Sequence, residues 1–144
     1  MKDLGGNSWF GFLPDGTILA RNGTQANCGG IAKIHVRISL TSKKGITFRA
    51  SDHEGEHDDG YGLAVPGAAV PVYLREAVFK GVQDVFEESN VDAGICFELL
   101  DAFVHMVDAR ESRFEAAGRI AMQGWLKQYT DGLNQVAEDK RQEA

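Results

Sequence analysis

The sequence predicts an α+β two-layer sandwich: a mixed, mainly four-stranded sheet with two amphipathic helices on one face and an extra N-terminal hairpin. Three observations predict it. Two stretches repeat apolar residues at three- and four-residue spacing, the mark of a helix with one buried stripe. The stretches before and between them alternate with period two, the mark of half-buried strands. The length, 144 residues, is that of one ordinary domain. Two striped helices each need an apolar surface to lie on, and a sheet with one apolar face supplies it to both.

Trp9–Leu13, then Pro14-Asp15-Gly16, then Thr17–Ala20 reads as the hairpin. Proline presets φ for a turn, and glycine tolerates positive φ. Asn22–Gly30 is a polar loop without periodicity. In Ile31–Leu40, Ile34, Val36, Ile38 and Leu40 fall on one face, with His35, Arg37 and Ser39 on the other. Ile46–Arg49 is the next strand, expected to pair antiparallel with the first across the Lys43-Lys44-Gly45 turn.

Pro71–Asn90 is the clearest helix, with proline suited to its first position and a stripe of Leu74, Ala77, Val78, Val82, Val85 and Phe86. Ile95–Leu100 is a strand, and Ala102–Val107 a short strand or extended loop. Asp108 followed by Glu111 has the spacing of a capping box. The helix after it carries Phe114, Ala117, Gly118, Ala121, Met122 and Trp125 on one side. The expected organisation is one domain over 1–129, its first 20 residues being the hairpin. A polar tail, frayed helix or disorder, covers 130–144.

Charge is unevenly spread. The net −6 divides into +5 over residues 1–50, −5 over the acidic stretch 51–60 and −6 over the remainder. The overall sign argues against indiscriminate nucleic-acid binding, while the basic first third keeps a local RNA contact open. No apolar run reaches the roughly 20 residues that cross a bilayer. Residues 1–6 lack the apolar core of a secretory signal. Two cysteines, Cys28 and Cys96, make no disulfide framework and read as inert thiols. The expected location is cytoplasmic, with no membrane partner.

His53-Glu54-Gly55-Glu56-His57 matches the H-E-x-x-H zinc pattern, which needs a helix to bring both imidazoles to one metal. Here Gly55 sits inside the pattern, acids crowd its flanks, and no large apolar residue between Ala50 and Tyr61 anchors a helix. A solvated acidic loop is the favoured reading, and a metal-dependent hydrolase on His53, Glu54 and His57 is the remote alternative. No phosphate loop and no dinucleotide fingerprint occurs. No two carboxylates are poised as acid and base, and Glu98 is expected to face solvent by alternation. The chain reads as not an enzyme, with no cofactor. From pattern alone, His105 is an exposed strand histidine.

Val70-Pro71-Val72-Tyr73-Leu74-Arg75-Glu76-Ala77-Val78-Phe79-Lys80-Gly81-Val82 resembles the first helix of the fourth domain of the elongation factor G / elongation factor 2 family, I-P-x-x-Y-x-x-A-V-x-K-G-I. Leu100-Asp101-Ala102-Phe103-Val104-His105-Met106-Val107-Asp108 is similar to that family's Y-D-G-x-Y-H-x-V-D. Phe114 and Ala117-Gly118 match its F-x-x-A-G, and the resemblance runs in unbroken order over about residues 20–127. The departures are a shorter segment between Gly94 and His105, a different tip loop, the acidic stretch 51–60, the extra hairpin and the missing companion domains.

The resemblance implies a stand-alone, non-catalytic wedge. Its loops at 22–30 and 104–110 would meet at one tip and contact RNA of the small ribosomal subunit, or another structured RNA. Carried over residue by residue, His105 is the RNA-contacting residue. Arg21, Gln25, Asn27, Lys33 and Arg110 surround it. No DNA partner is implied. The alternative is a protein-interaction or oligomerisation module that kept the fold and lost the ribosome. Its exposed strand edges and Trp9-Phe10 would form a homodimer or partner surface.

Overall fold

Residues 2–5, 8–23, 31–50, 70–103 and 110–143 are described by the computed structural model. Among them the chain runs β1 (Lys2–Gly5), β2 (Ser8–Phe12), β3 (Ile18–Gly23), β4 (Ile31–Thr41), β5 (Gly45–Ala50), α1 (Val72–Ser89), β6 (Gly94–Phe103) and α2 (Glu111–Glu143). The strands form one mixed sheet in the order β1-β2-β3-β4-β6-β5. The class is the α+β two-layer sandwich that the helical stripes and strand alternation require.

The hairpin is not an appendage to a four-stranded sheet. β3 pairs antiparallel with β4 from Ile18↔Val36 to Gly23↔Ile31, and β2 and β1 follow it, so the sheet has six strands among the described residues. The turn works as its residues dictate. Gly16 N–H donates to Leu13 O at 2.9 Å, Leu13 N–H donates to Thr17 O at 2.8 Å, and Gly16 takes φ +86°. That is a type I turn with a glycine bulge, whose twist suits a three-residue hairpin loop.

β5 corrects the expectation of a second antiparallel pairing. It does not pair with β4, although only residues 42–44 separate them. β6 lies between the two, antiparallel to β4 and parallel to β5. Buried Ile95, Phe97 and Leu99 make β6 an interior strand, whereas short β5 suits an edge. The intervening chain, which includes α1, supplies the long crossover that a parallel pair requires. Gly94 permits the short turn to pass over the start of β6. A Cβ there would lie 2.1 Å from the Lys43 carbonyl oxygen and 2.5 Å from that of Thr41.

One sheet face carries Ile18, Ala20, Ile34, Val36, Ile38, Ile95, Phe97 and Leu99, and both helices pack on it. Leu74, Ala77, Val78, Val82 and Val85 of α1 are buried there, as are Phe114, Ala117, Ala121, Met122 and Leu126 of α2. The helices cross at two glycines. An added Cβ on Gly81 would sit 2.1 Å from the Glu115 carbonyl oxygen, and one on Gly118 would sit 2.4 Å from that of Val78. Each backbone therefore rests against the other, and Lys80–Glu115 and Arg119–Glu88, each 3.0 Å, bridge the rim.

Other boundaries differ for local reasons. Pro71 is the N-cap of α1, with ψ 143°, rather than its first helical residue. Asn90 ends the helix in the left-handed conformation, φ 55°, that asparagine tolerates. α2 starts at Glu111, two residues later than a box capped by Asp108 would give. The Arg110 carbonyl accepts from Arg113 and Phe114 N–H, and Asp108 lies outside the described residues. Ala102 and Phe103 belong to β6, so no second strand begins there. Leu40, expected inward, is 55% exposed, because β4 runs on beyond the reach of the helices. α2 continues through the polar segment to Glu143; its length is about 50 Å at 1.5 Å per residue. Among the described residues, no helix is long and apolar enough to cross a membrane.

Candidate nucleic-acid interface

Strand register puts charged side chains on the sheet face opposite the helices. Trp9 pairs with Arg21, Arg21 with Lys33, and Lys33 with Phe103, so these four positions form one row across β2, β3, β4 and β6. The next row is Gly11, Leu19, His35 and Asp101. The Arg21 guanidinium carbon lies 5.7 Å from the Trp9 ring centroid, within cation–π range. Arg21 Nε donates to Gly23 O at 3.3 Å.

Arg37, two positions along from His35, is neutralised by Glu98 at 3.3 Å, which also puts Glu98 on the face its alternation predicts. Arg21 and Lys33 form no ion pair among the described residues. Two like charges directly opposite each other on neighbouring strands cost stability.

These cations stand at one end of the sheet. Gly23 pairs with Ile31, and two residues further Lys33 pairs with Phe103, so the described chain leaves β3, enters β4 and leaves β6 at the same end. The first turn of α2 is fastened there too: Arg113 Nη1 donates to Asn22 Oδ1 at 3.0 Å, and Asn22 Nδ2 to Ser8 Oγ at 3.0 Å. Exposed Arg110 precedes that turn. Of the expected tip residues, Arg21, Lys33 and Arg110 thus share one end of the molecule. Gln25, Asn27 and His105 lie outside the described residues, as do His53 and His57. Among the described residues, no three His, Cys, Asp or Glu side chains converge as metal ligands.

Sequence reasoning missed a polar line beside this row. His35 Nδ1 lies 3.2 Å from Asp101 Oδ2, and its Nε2 lies 2.8 Å from Thr17 Oγ1. The Thr17 hydroxyl gives its single proton to Asp15 Oδ1 at 2.5 Å. The Thr17 oxygen and the Asp101 carboxylate thus each face one ring nitrogen of His35. The order threonine, histidine, aspartate imitates a nucleophilic triad. Thr17 is fully buried and its proton is committed to Asp15, so the line acts as a strut holding the hairpin turn to β4 and β6.

A β-bulge makes this line. His35 pairs with Asp101 but Val36 pairs with Leu99, leaving Leu100 without a partner on β4. The extra residue reverses the alternation, turning Asp101 toward His35 and Ala102 into the core. Regular pleating would have aimed the Asp101 carboxylate at the core. The one sequence signal was the break in alternation at Leu99-Leu100.

The strut has a pH signature. Hydrogen bonds from the Thr17 hydroxyl, and then from the Thr17 N–H at 2.9 Å, hold the Asp15 carboxyl below its ordinary 3.8. A carboxylate depressed in the folded state stabilises it fully above the unfolded value, and the contribution is lost as pH falls through the folded one. Asp15→Asn is expected to flatten the loss of stability below about pH 4. Urea titrations of both proteins across the acid range check this; parallel curves would refute it.

No protein-family model and no curated protein matches the sequence. A solved structure of a Thermus thermophilus protein is similar over 81% of this chain and 14% of that chain, at 13% identity and a TM-score of 0.44.

Proposed function

We propose that this chain is a non-catalytic module that binds structured RNA, with the small ribosomal subunit as its partner, through the end of the sheet that carries Arg21, Lys33 and Arg110. The carrying observation is the pair Arg21 and Lys33, held directly opposite each other despite their repulsion and without an ion-pair partner among the described residues. Phosphate oxygens would relieve that repulsion and gain two charge-assisted contacts. The resemblance to the fourth domain of elongation factor G supports the same end. It adds His105, Gln25 and Asn27 as contacts from the neighbouring loops.

Sedimentation with small subunits at low salt tests the reading. Arg21→Ala combined with Lys33→Ala is expected to weaken pelleting. It should also reduce the slope of log affinity against log salt by about 0.7–0.9 per lost phosphate contact. Equal pelleting of variant and wild type, or none by either, would overturn it. A second reading has one observation in its favour. Half-buried Trp125 and Tyr129, stacked at 5.2 Å, adjoin exposed Phe12 and Leu133 in a groove beside the hairpin turn, which suits a protein partner. A strict monomer in light scattering, with no co-purifying protein, counts against that.

A further inference from the structure

We infer that the helix-free face of the sheet binds single-stranded RNA, taking two successive bases in two hollows on either side of a ridge made by Leu19 and Lys33. This rests on the RNA-binding reading and extends its site from the end of the sheet onto the face. The first hollow, about 220 Å³, is bordered by Trp9 and Arg21. The second, about 270 Å³, is bordered by His35, Asp101 and Phe103. Leu19 and Lys33 line both, so the hollows are neighbours.

The chemistry of each hollow fits one part of a dinucleotide. Trp9 is half-buried, and Arg21 already lies against its ring. A base entering there stacks on an indole or a guanidinium plane, a sequence-tolerant contact open to any base. In the second hollow the Asp101 carboxylate gives one oxygen to His35 Nδ1 and keeps its other lone pairs. A carboxylate accepts from the exocyclic amino group of cytosine or adenine, whereas uracil has no amino group and offers only its ring N3–H. Lys33, exposed and without an ion-pair partner among the described residues, stands between the hollows, where the linking phosphate would lie. His35 is two residues along the same strand, about 6.7 Å away, a spacing that suits successive unstacked nucleotides. A duplex keeps its bases stacked inside and could fill neither hollow.

Fluorescence anisotropy of the full chain with labelled ten-nucleotide RNAs at low salt tests this. Oligo-C and oligo-A are expected to bind more tightly than oligo-U, and duplex RNA of equal length more weakly than all three. Trp9→Ala should weaken oligo-C binding about tenfold. Leu19→Glu, which sets a negative charge on the ridge directly opposite His35, should weaken it at least as much. Thermal melts establish that both variants fold. In a Trp125→Phe background the one remaining tryptophan is Trp9, and oligo-C should quench its emission. Small-subunit binding that persists when oligonucleotides do not bind, or when folded Trp9→Ala and Leu19→Glu bind them like wild type, overturns the face and spares the end. Oligonucleotide binding without subunit pelleting overturns the ribosomal partner and keeps the face.

Discussion

Replacing Gly118 or Gly81 with alanine is expected to destabilise the fold by about 3 kcal/mol, the upper end of what overpacking costs. The reason is the identity of the obstructing atoms. Each new methyl would sit 2.1–2.4 Å from a carbonyl oxygen of the opposite helix, and a helical carbonyl cannot rotate aside as a side chain can. The helices must separate, and Leu74, Val78, Phe114 and Ala117 then lose contacts they make at full burial. Alanine's better helix propensity returns only about 1 kcal/mol. Once the helices have moved apart for one methyl, the second fits more easily. The double variant should therefore lose less than the sum of the single losses. Gly132 supplies the control. Nothing lies within 4 Å of a Cβ there, so Gly132→Ala is expected to stabilise by about 0.5–1 kcal/mol. Urea denaturation of the four proteins checks the set; an additive, mild Gly81/Gly118 pair would refute the close crossing.

Phe97→Ala is the second large effect, with an expected loss of about 3–5 kcal/mol. Phe97 is fully buried on an interior strand. Its ring meets those of Phe48 and Phe79, each at 6.1 Å, while those two lie 4.7 Å apart. Removing it empties the point where edge strand β5, helix α1 and β6 join, and the backbone of a strand paired on both sides cannot collapse into the gap. Phe97→Leu keeps most of the volume and should lose under about 1.5 kcal/mol beyond what the edge-on ring contacts supply. The midpoint of urea unfolding measures both. Equal midpoints for alanine and leucine would show that the ring does not fill this junction.

What the sequence revealed follows from what periodicity can report. Period two in Ile34, Val36 and Ile38, and period 3.6 in Leu74, Val78 and Val82, tell which face of an element is buried, and each of these residues is. They do not tell which strand lies beside which. Adjacency in sequence therefore points β5 to β4, and the room made by Gly94 is visible only in three dimensions. Gly118 lies in a helical stripe and Gly81 in the other helix, but nothing in the sequence indicates that each packs against the backbone of the opposite helix. At the candidate site, Arg21 and Lys33 were legible singly, as cations flanking a polar loop. Their pairing follows from the β3–β4 register. The line from Asp15 through Thr17 and His35 to Asp101 was not legible, because it joins residues 66 apart through a bulge.

The position of β6 bears on how the chain finds its fold during synthesis. β4 and β5 emerge from the ribosome together, joined by Lys43-Lys44-Gly45, a sequence that suits an ordinary two-strand turn. Their native neighbour starts at Gly94, some seconds later at about 5–20 residues per second. Until then the edge of β4 not taken by β3 has β5 as its nearest partner, and a local ribbon of that kind would have to come apart before β6 could slot between them. Folding speed in this protein should therefore be governed by opening a premature pairing rather than by forming the last helix.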